Sequence, residues 1–337
     1  MTQTMELTEA SLKLDLAVEK LRICAFIRDC VIRTMKKTGA VVAVSGGIDS
    51  STTAALCVQA LGADHVLGLM LPERDSDPDS LACGKLLIDH LGIACETVNI
   101  APILEAMGCY RYRNESIGEL FPHYTADYKF KIVLTSQGPR HGPRFNFYSV
   151  VIESPSGVQE KKRLPFRNYL QLVAATNMKQ RTRKSVEYFH ADRLNYAVAG
   201  TPNYLEYDQG FFVKIGDGAA DFKPIAHLYK TQVYEMARYL DLPKTLLDRK
   251  PTTDTYSLQQ SQEEFYFQLP LRTLDLVMYG MDEGFDTAAI SRATGIPPED
   301  LEWHMNDIRQ KRATTAPLHL PPLTLISEGR THHSGVQ

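Results

Sequence analysis

A doubly wound parallel α/β sheet with flanking helices and an inserted β-hairpin is the fold that this 337-residue chain predicts. Three observations lead there. The apolar runs Val41 to Val44, Val66 to Leu71 and Ala94 to Ile100 have the length and continuity of buried parallel strands. Helix-like segments separate them, and parallel neighbours joined by helices demand right-handed crossovers. Between 110 and 165 the alternation fails, and two β-rich runs flank a Gly/Pro/basic turn.

Apolar positions at helical spacing over residues 8–37 (Leu12, Leu16, Leu21, Ile27, Val31, Met35) place one or two helices before the first strand. That strand runs through Ser45-Gly46-Gly47 into an apolar helix containing Thr53 to Leu61. A helix at 80–91 joins the second and third strands. Lys131 to Thr135 and Phe145 to Glu153 form the hairpin, which Pro155-Ser-Gly157 ends. The alternation resumes at Tyr169 with a long helix to about His190, a strand at 196–200 and a helix at 229–240. Short helices follow at 270–282 and 286–294. From Ala316 the chain turns proline-rich and then polar, a C-terminal tail over 316–337 that contains His332-His333. The whole reads as one domain over 1–337 with an insertion at 110–168.

Hydrophobic residues at 44% and charged ones at 23% are ordinary for a soluble globular chain. A net charge of −3 carries no footprint of nucleic acid or of an anionic membrane surface. No segment is apolar for long enough to span a bilayer, and the first residues lack a basic start and an apolar core. The six cysteines include no Cys-x-x-Cys pair and read as reduced core residues of a cytoplasmic protein, which argues against paired-thiol sulfur transfer.

Residues 41–53, Val-Val-Ala-Val-Ser-Gly-Gly-Ile-Asp-Ser-Ser-Thr-Thr, carry the strongest chemical signal. A strand, a glycine turn and a helix N-terminus leave backbone N–H groups aimed at one spot, with the positive end of the helix dipole behind them. Pyrophosphate fits there. Ser45, Ser51 and Thr52 can add hydroxyl donors, and Asp49 belongs beside phosphate only if a divalent cation lies between them. No lysine follows the glycines, so this is not the usual NTPase loop. Ser-Gly-Gly-x-Asp-Ser resembles the signature of the ATP pyrophosphatases, which cleave ATP to AMP and pyrophosphate.

Other clusters fall near strand ends, where ligands of such sheets bind. Arg74, in Leu71-Pro-Glu-Arg74, is placed either to stack on adenine or to be a solvated loop arginine. Asn177-Met-Lys-Gln-Arg-Thr-Arg183 is a basic helical face that suits a phosphate-bearing second substrate or plain solvent. Gly200-Thr201 and Glu206 follow a strand closely enough to reach the crevice, Thr201 as a donor and Glu206 as a second magnesium carboxylate. Asp217, between two glycines in Lys214 to Asp221, is a turn former or a base near the reacting carbonyl. Lys230 opens a helix and could neutralise departing pyrophosphate; Thr252 offers a hydroxyl from Lys250-Pro-Thr252.

Together these segments, in this order, resemble the ammonia-dependent NAD synthetase family, over roughly 10–110 and 168–315. Leu228-Tyr-Lys-Thr-Gln-Val233 and Gln310-Lys-Arg312 with Pro317 add to the match. The resemblance implies that Ser45, Gly46, Gly47, Asp49, Ser50 and Ser51 hold ATP phosphates, and that Asp49 and Glu206 bind Mg²⁺. It implies that Arg74 and Thr201 contact the nucleotide and that Lys230 and Thr252 bind its phosphates. Asn177, Arg181, Lys214, Asp217 and Asp221 would face the acid, nicotinic acid adenine dinucleotide. The acid's carboxylate would attack the α-phosphorus, with Lys230 catalytic at the leaving pyrophosphate. Ammonia would then displace AMP with Asp217 as its catalytic partner. The family works as a homodimer whose interface helps form the acid site. Gln180, Pro202 and Tyr204 depart from its usual residues, and the 110–168 insertion is absent from ordinary members. A different carboxylic acid, or a non-catalytic nucleotide-binding paralogue, are the competing readings. An RNA-modifying pyrophosphatase is disfavoured by the charge and the unpaired cysteines. Without a glutaminase region, ammonia is free or comes from a separate protein, and the hairpin covers the acid site or docks that partner.

Overall fold

The computed structural model describes residues 6–137, 145–249 and 255–325. The tip of the inserted hairpin, the Thr252 loop and the His332-His333 tail therefore lie outside the described residues. In chain order the elements begin with helix α1 (Leu16–Arg28), strand β1 (Ala40–Ala43), helix α2 (Ile48–Leu61), strand β2 (Val66–Met70), helix α3 (Pro78–Leu91) and strand β3 (Ala94–Thr97). Helices α4 (Ala101–Ala106) and α5 (Cys109–Gly118) lead to strands β4 (Lys129–Gln137), β5 (Phe145–Glu153) and β6 (Gln159–Arg163). Helix α6 (Phe166–Leu194), strand β7 (Ala197–Ala199), and helices α7 (Tyr204–Asp208), α8 (Lys230–Tyr239) and α9 (Lys244–Leu247) follow. The chain closes with α10 (Leu271–Asp282), α11 (Thr287–Thr294) and α12 (Pro298–His319).

The main sheet is parallel with strand order β3-β2-β1-β7. Strand β1 is apolar on both faces because helices cover both. Ala40 and Val42 pack on one side with residues of α1, α2 and α8, whereas Val41 packs on the other with Tyr110 of α5 and Ala191 of α6. From β1 the chain first builds outward through β2 and β3, then returns to the opposite side at β7. That reversal opens a crevice between the carboxyl ends of β1 and β7, the expected place for a ligand.

A second sheet, β4-β5-β6, is antiparallel, with Leu134 opposite Tyr148, Ile132 opposite Val150 and Phe130 opposite Ile152. Phe130, Ile132, Val150 and Ile152 of this face are buried against Ile117, Phe121 and Leu172 of the body.

Four features differ from expectation. Strand β3 stops at Thr97 and is an exposed edge, because nothing packs beyond it in the sheet. Strand β6, Gln159-Glu-Lys-Lys-Arg163, has no apolar residue to announce it and owes its conformation to pairing with β5. Helix α12 is polar apart from a short stripe, Leu301, Met305 and Ile308, and it carries the chain through Ala316 and Pro317 to His319. Of the six free cysteines, Cys24, Cys57, Cys83 and Cys109 are buried, Cys30 is half-buried and Cys95 lies exposed on β3. Among the described residues no helix is long and apolar enough to cross a membrane.

Candidate active site

The turn after β1 is built by its own side chains. Gly46 takes φ +72°, and a Cβ there would lie 2.6 Å from Cys83 Cβ and 2.7 Å from the Ser80 carbonyl, so only glycine fits. The Ser50 and Ser51 hydroxyls donate to the Gly47 carbonyl at 3.0 and 2.8 Å, and Ser45 N–H donates to Ser50 Oγ at 3.3 Å. Ser51 is fully buried and Thr52 donates to the Ile48 carbonyl at 2.8 Å. These two hydroxyls shape the first turn of α2 and do not reach the crevice, because helical phase turns them back on the preceding turn. Ser45, Gly47, Asp49 and Ser50 line a cavity of about 810 Å³; Gly46 and Ser51 support it from behind.

Five polar side chains, from segments distant in sequence, meet there. The Lys230 ammonium, only 1% exposed, hydrogen-bonds Asp49 Oδ2. Asn203 Nδ2 donates to Asp49 Oδ1 at 3.0 Å, while Asn203 and Glu206 close a reciprocal cap at the start of α7. Asn203 thus holds Asp49 with one hand and positions Glu206 with the other. Gln262 Nε2 donates to Glu206 Oε1 at 2.8 Å. Burial, with the nearby Asp49 charge adding to it, pushes the Glu206 carboxyl up to about 7. Burial alone would lower the Lys230 ammonium, but the charges of Asp49 and Glu206 outweigh it and hold the group above its ordinary value.

Among the described residues no cluster of three or more His, Cys, Asp and Glu side chains is placed to hold a metal ion. The donors present fit Mg²⁺ nonetheless: the ion commonly takes one or two carboxylates and completes its shell with phosphate oxygens and water. A carboxyl raised by burial and by a second carboxylate beside it marks a site short of positive charge.

A second group lines the same cavity along α6 and the loop after α7. Asn177, Arg181, Lys214 and Asp217 are all in its wall, as is Thr201 after β7. The Asp217 carboxylate accepts from Val213 N–H at 2.8 Å, and burial raises it above the usual carboxylate range. It is therefore both the expected turn former and a wall residue. Lys214 Nζ donates to the Pro317 and Leu320 carbonyls at 2.9 and 3.0 Å, pinning the end of α12 over the crevice.

Two expected contacts are not brought together. Arg74 does not line the cavity: its guanidinium stacks 4.0 Å from the Tyr110 ring centre and pairs with Glu105, the flat face and the carboxylate nearest to it. Asp221 also lies outside the wall, its carboxylate accepting from Val198 N–H at 2.7 Å and Tyr188 OH at 3.2 Å, which fastens β7 to the following loop.

Other residues of the site were not foreseen. Asn203-x-x-Glu206 carries the signal of a capping box and was legible in the sequence. Gln262 and Arg249 had none. Arg249 donates to Ser80 Oγ at 2.8 Å and to the Ser45 carbonyl at 3.4 Å, a cation set over the glycine turn. Leu134, Asn146 and Tyr148 bring the inserted sheet into the wall.

Comparison with known proteins bears on this geometry. The model of the NAD synthase family matches residues 19–123 and 146–313, leaving out only 124–145 of the interval expected to be an insertion. The NH(3)-dependent NAD(+) synthetase of Rhizobium meliloti strain 1021 is 50% identical over 312 residues, covering 93% of this chain and 92% of that protein. The one from Thermotoga maritima is 34% identical over 269 residues, covering 79% and 88%. Among solved structures, NMN synthetase from Francisella tularensis superposes with TM-score 0.64 at 22% identity, covering 93% of this chain and 99% of that one. NH3-dependent NAD synthetase from Campylobacter jejuni, in complex with the nitrate ion, gives 0.61 at 20%, covering 93% and 100%. At those identities the structural likeness speaks for the fold, and the sequence matches speak for descent: this chain belongs to the NAD synthase family.

Proposed function

We propose that this protein amidates nicotinic acid adenine dinucleotide with ammonia at the expense of ATP, forming NAD, AMP and pyrophosphate through an acyl adenylate. The observation that carries this reading is the meeting of Asp49, Glu206 and Lys230 beside the glycine turn, in one cavity with Asn177, Arg181, Lys214 and Asp217. A carboxylate is a poor electrophile, so it must first be activated. In this reading the backbone N–H groups of the Ser45–Gly47 turn and the start of α2 hold the triphosphate, Thr201 contacts the nucleotide and Thr252 binds its phosphates. Asp49 and Glu206 would hold Mg²⁺, which would supply positive charge to the phosphate oxygens. Lys230 neutralises charge on pyrophosphate as the acid's carboxylate displaces it from the α-phosphorus. Asn177, Arg181 and Lys214 orient the acid. Asp217, raised by burial, accepts the proton that ammonia loses as it attacks the acyl carbon. Arg74 and Asp221 take no part in this reading, because each is engaged away from the cavity. The enzyme acts in the cytoplasm as a homodimer, with free ammonia as the nitrogen source.

Purified protein supplied with ATP, MgCl2, ammonium chloride and the dinucleotide acid is expected to form NAD, AMP and pyrophosphate in equal amounts. Lys230→Met is expected to lower kcat by about a hundredfold or more, the scale of losing one charge-stabilising donor. AMP formation with other carboxylic acids but none with this one would overturn the reading in favour of a different amide synthase. Absence of ATP turnover with any acid would favour a non-catalytic paralogue.

A further inference from the structure

The inserted sheet does more than cover the body. Register places Phe130, Ile132 and Leu134 of β4 opposite Ile152, Val150 and Tyr148 of β5, so all six side chains share one face. The first two pairs are buried in the core beneath the sheet, whereas Leu134 and Tyr148, at the end toward the crevice, enter the cavity wall. Hydrogen bonds to one segment of the body, residues 257–260, hold the sheet in that position. Leu258 N–H donates to the Phe130 carbonyl at 3.0 Å, Phe130 N–H to Ser257 Oγ at 2.9 Å, and Gln260 Nε2 to the Ile132 carbonyl at 2.6 Å. Two residues on, Gln262 grips Glu206. The end of the sheet is therefore in fixed register with the catalytic end of the cavity.

Tyr148 meets Tyr169 of α6 with ring centres 4.5 Å apart and planes within 14° of parallel, and both rings line the cavity. Tyr169 lies two turns before Asn177 on α6, about 12 Å along the helix axis at 1.5 Å per residue. Val173 and Asn177, at intervals of four from Tyr169, continue the same wall. A flat aromatic platform thus stands in line with the residues assigned to the acid, and no reacting group is needed at that position.

We propose that Tyr148, supplied by the inserted sheet, and Tyr169 form a ring-binding subsite that stacks a heteroaromatic ring of the acid substrate and so contributes to its selection. The inference rests on the reading of the reaction given above. Tyr148 is a specificity-determining residue in this scheme, touching the acid and not the reacting carboxyl.

The test compares KM for the acid and KM for ATP in Tyr148→Leu, Tyr148→Ala and Tyr148→Phe. The leucine variant keeps an apolar side chain on the sheet, and thermal unfolding checks that it remains folded. Leucine and alanine are expected to raise KM for the acid about tenfold, with KM for ATP unchanged within about twofold, and phenylalanine to restore wild-type behaviour. If nicotinic acid mononucleotide competes equally well with wild type and Tyr148→Leu, the ring concerned is the adenine of the dinucleotide. If its competition weakens in the variant, the ring is the pyridine. Folded leucine and alanine variants with an unchanged KM for the acid, or with both KM values raised alike, overturn the proposal. Wild-type protein that forms no NAD from the dinucleotide acid sinks the reaction assignment instead, so the two failures are distinguishable.

Discussion

Asp275 shows how one residue can serve the site without touching it. It is 0% exposed in α10 and accepts from the backbone N–H groups of Lys230 at 3.2 Å and Thr231 at 2.7 Å. A carboxylate from another element thereby caps α8, the helix that presents Lys230. Burial pushes the Asp275 carboxyl up to about 6, and the N–H donors only partly oppose it. A folded-state value above the unfolded one means that the native protein binds the proton more tightly. This stabilising contribution is complete below about pH 3.8 and is lost as pH rises through about 6, a fall of about 3 kcal/mol at most. Asp275→Asn should therefore flatten the pH dependence of unfolding free energy between those limits. Denaturant melts at several pH values would show it; parallel curves for variant and wild type would refute it. Nothing in the sequence around 275 marked this role, because a cap supplied from another helix leaves no local pattern.

At the scale of elements, the turn between β1 and α2 has a backbone geometry with little freedom. Gly46 and Gly62 both take positive φ, +72° and +89°, but a Cβ at Gly46 meets the Ser80 carbonyl whereas one at Gly62 meets nothing within 4 Å. Gly46→Ala should cost about 2 kcal/mol or more and weaken ATP binding, since both strain and a backbone clash must be relieved. Gly62→Ala should cost about 1 kcal/mol from strain alone and leave ATP affinity unchanged. Thermal unfolding and calorimetric titration with ATP separate the two; equal costs with intact ATP affinity in both would show the turn to be tolerant. The turn and α2 were readable because apolar run, glycines and helix start are contiguous. Strand β6 and helix α12 were not. The first borrows its conformation from β5, and the second has only Leu301, Met305 and Ile308 on its buried stripe.

At the scale of the molecule, Lys179 ties distant segments into one body. Its ammonium, in a side chain 2% exposed, donates to Glu73 Oε1 at 2.9 Å, Asp75 Oδ2 at 2.6 Å and the Thr255 carbonyl at 2.9 Å. Arg113 of α5 reaches the same Asp75 at 2.5 Å, and the Tyr110 hydroxyl donates to Glu73 at 2.8 Å. Helix α6, the loop after β2 and the segment leading to Gln262 are thus coupled through one buried cation. Removing it leaves the buried Glu73 without a counter-charge and Asp75 with Arg113 alone, so Lys179→Met should destabilise the fold by about 3–5 kcal/mol. Adding Glu73→Gln should recover part of that loss, a coupling that a double-mutant cycle measures. A single variant costing under about 1 kcal/mol would mean that the network holds little.

Apolar runs alternating with helical segments were enough to anticipate a parallel sheet, and the glycine turn followed by Asp49 was enough to anticipate a nucleotide chemistry. Strand periodicity and backbone geometry at glycine are local properties, set by neighbours in sequence. Which hydroxyls and guanidinium groups turn toward the crevice was decided only by packing. Ser51 is turned away by helical phase, Arg74 finds Tyr110 and Glu105, and Asp221 finds the backbone of β7. Asn203, Gln262 and Tyr148 joined the cavity because segments 21 to 154 residues apart come together, and polar and aromatic groups pair with whatever the fold sets beside them.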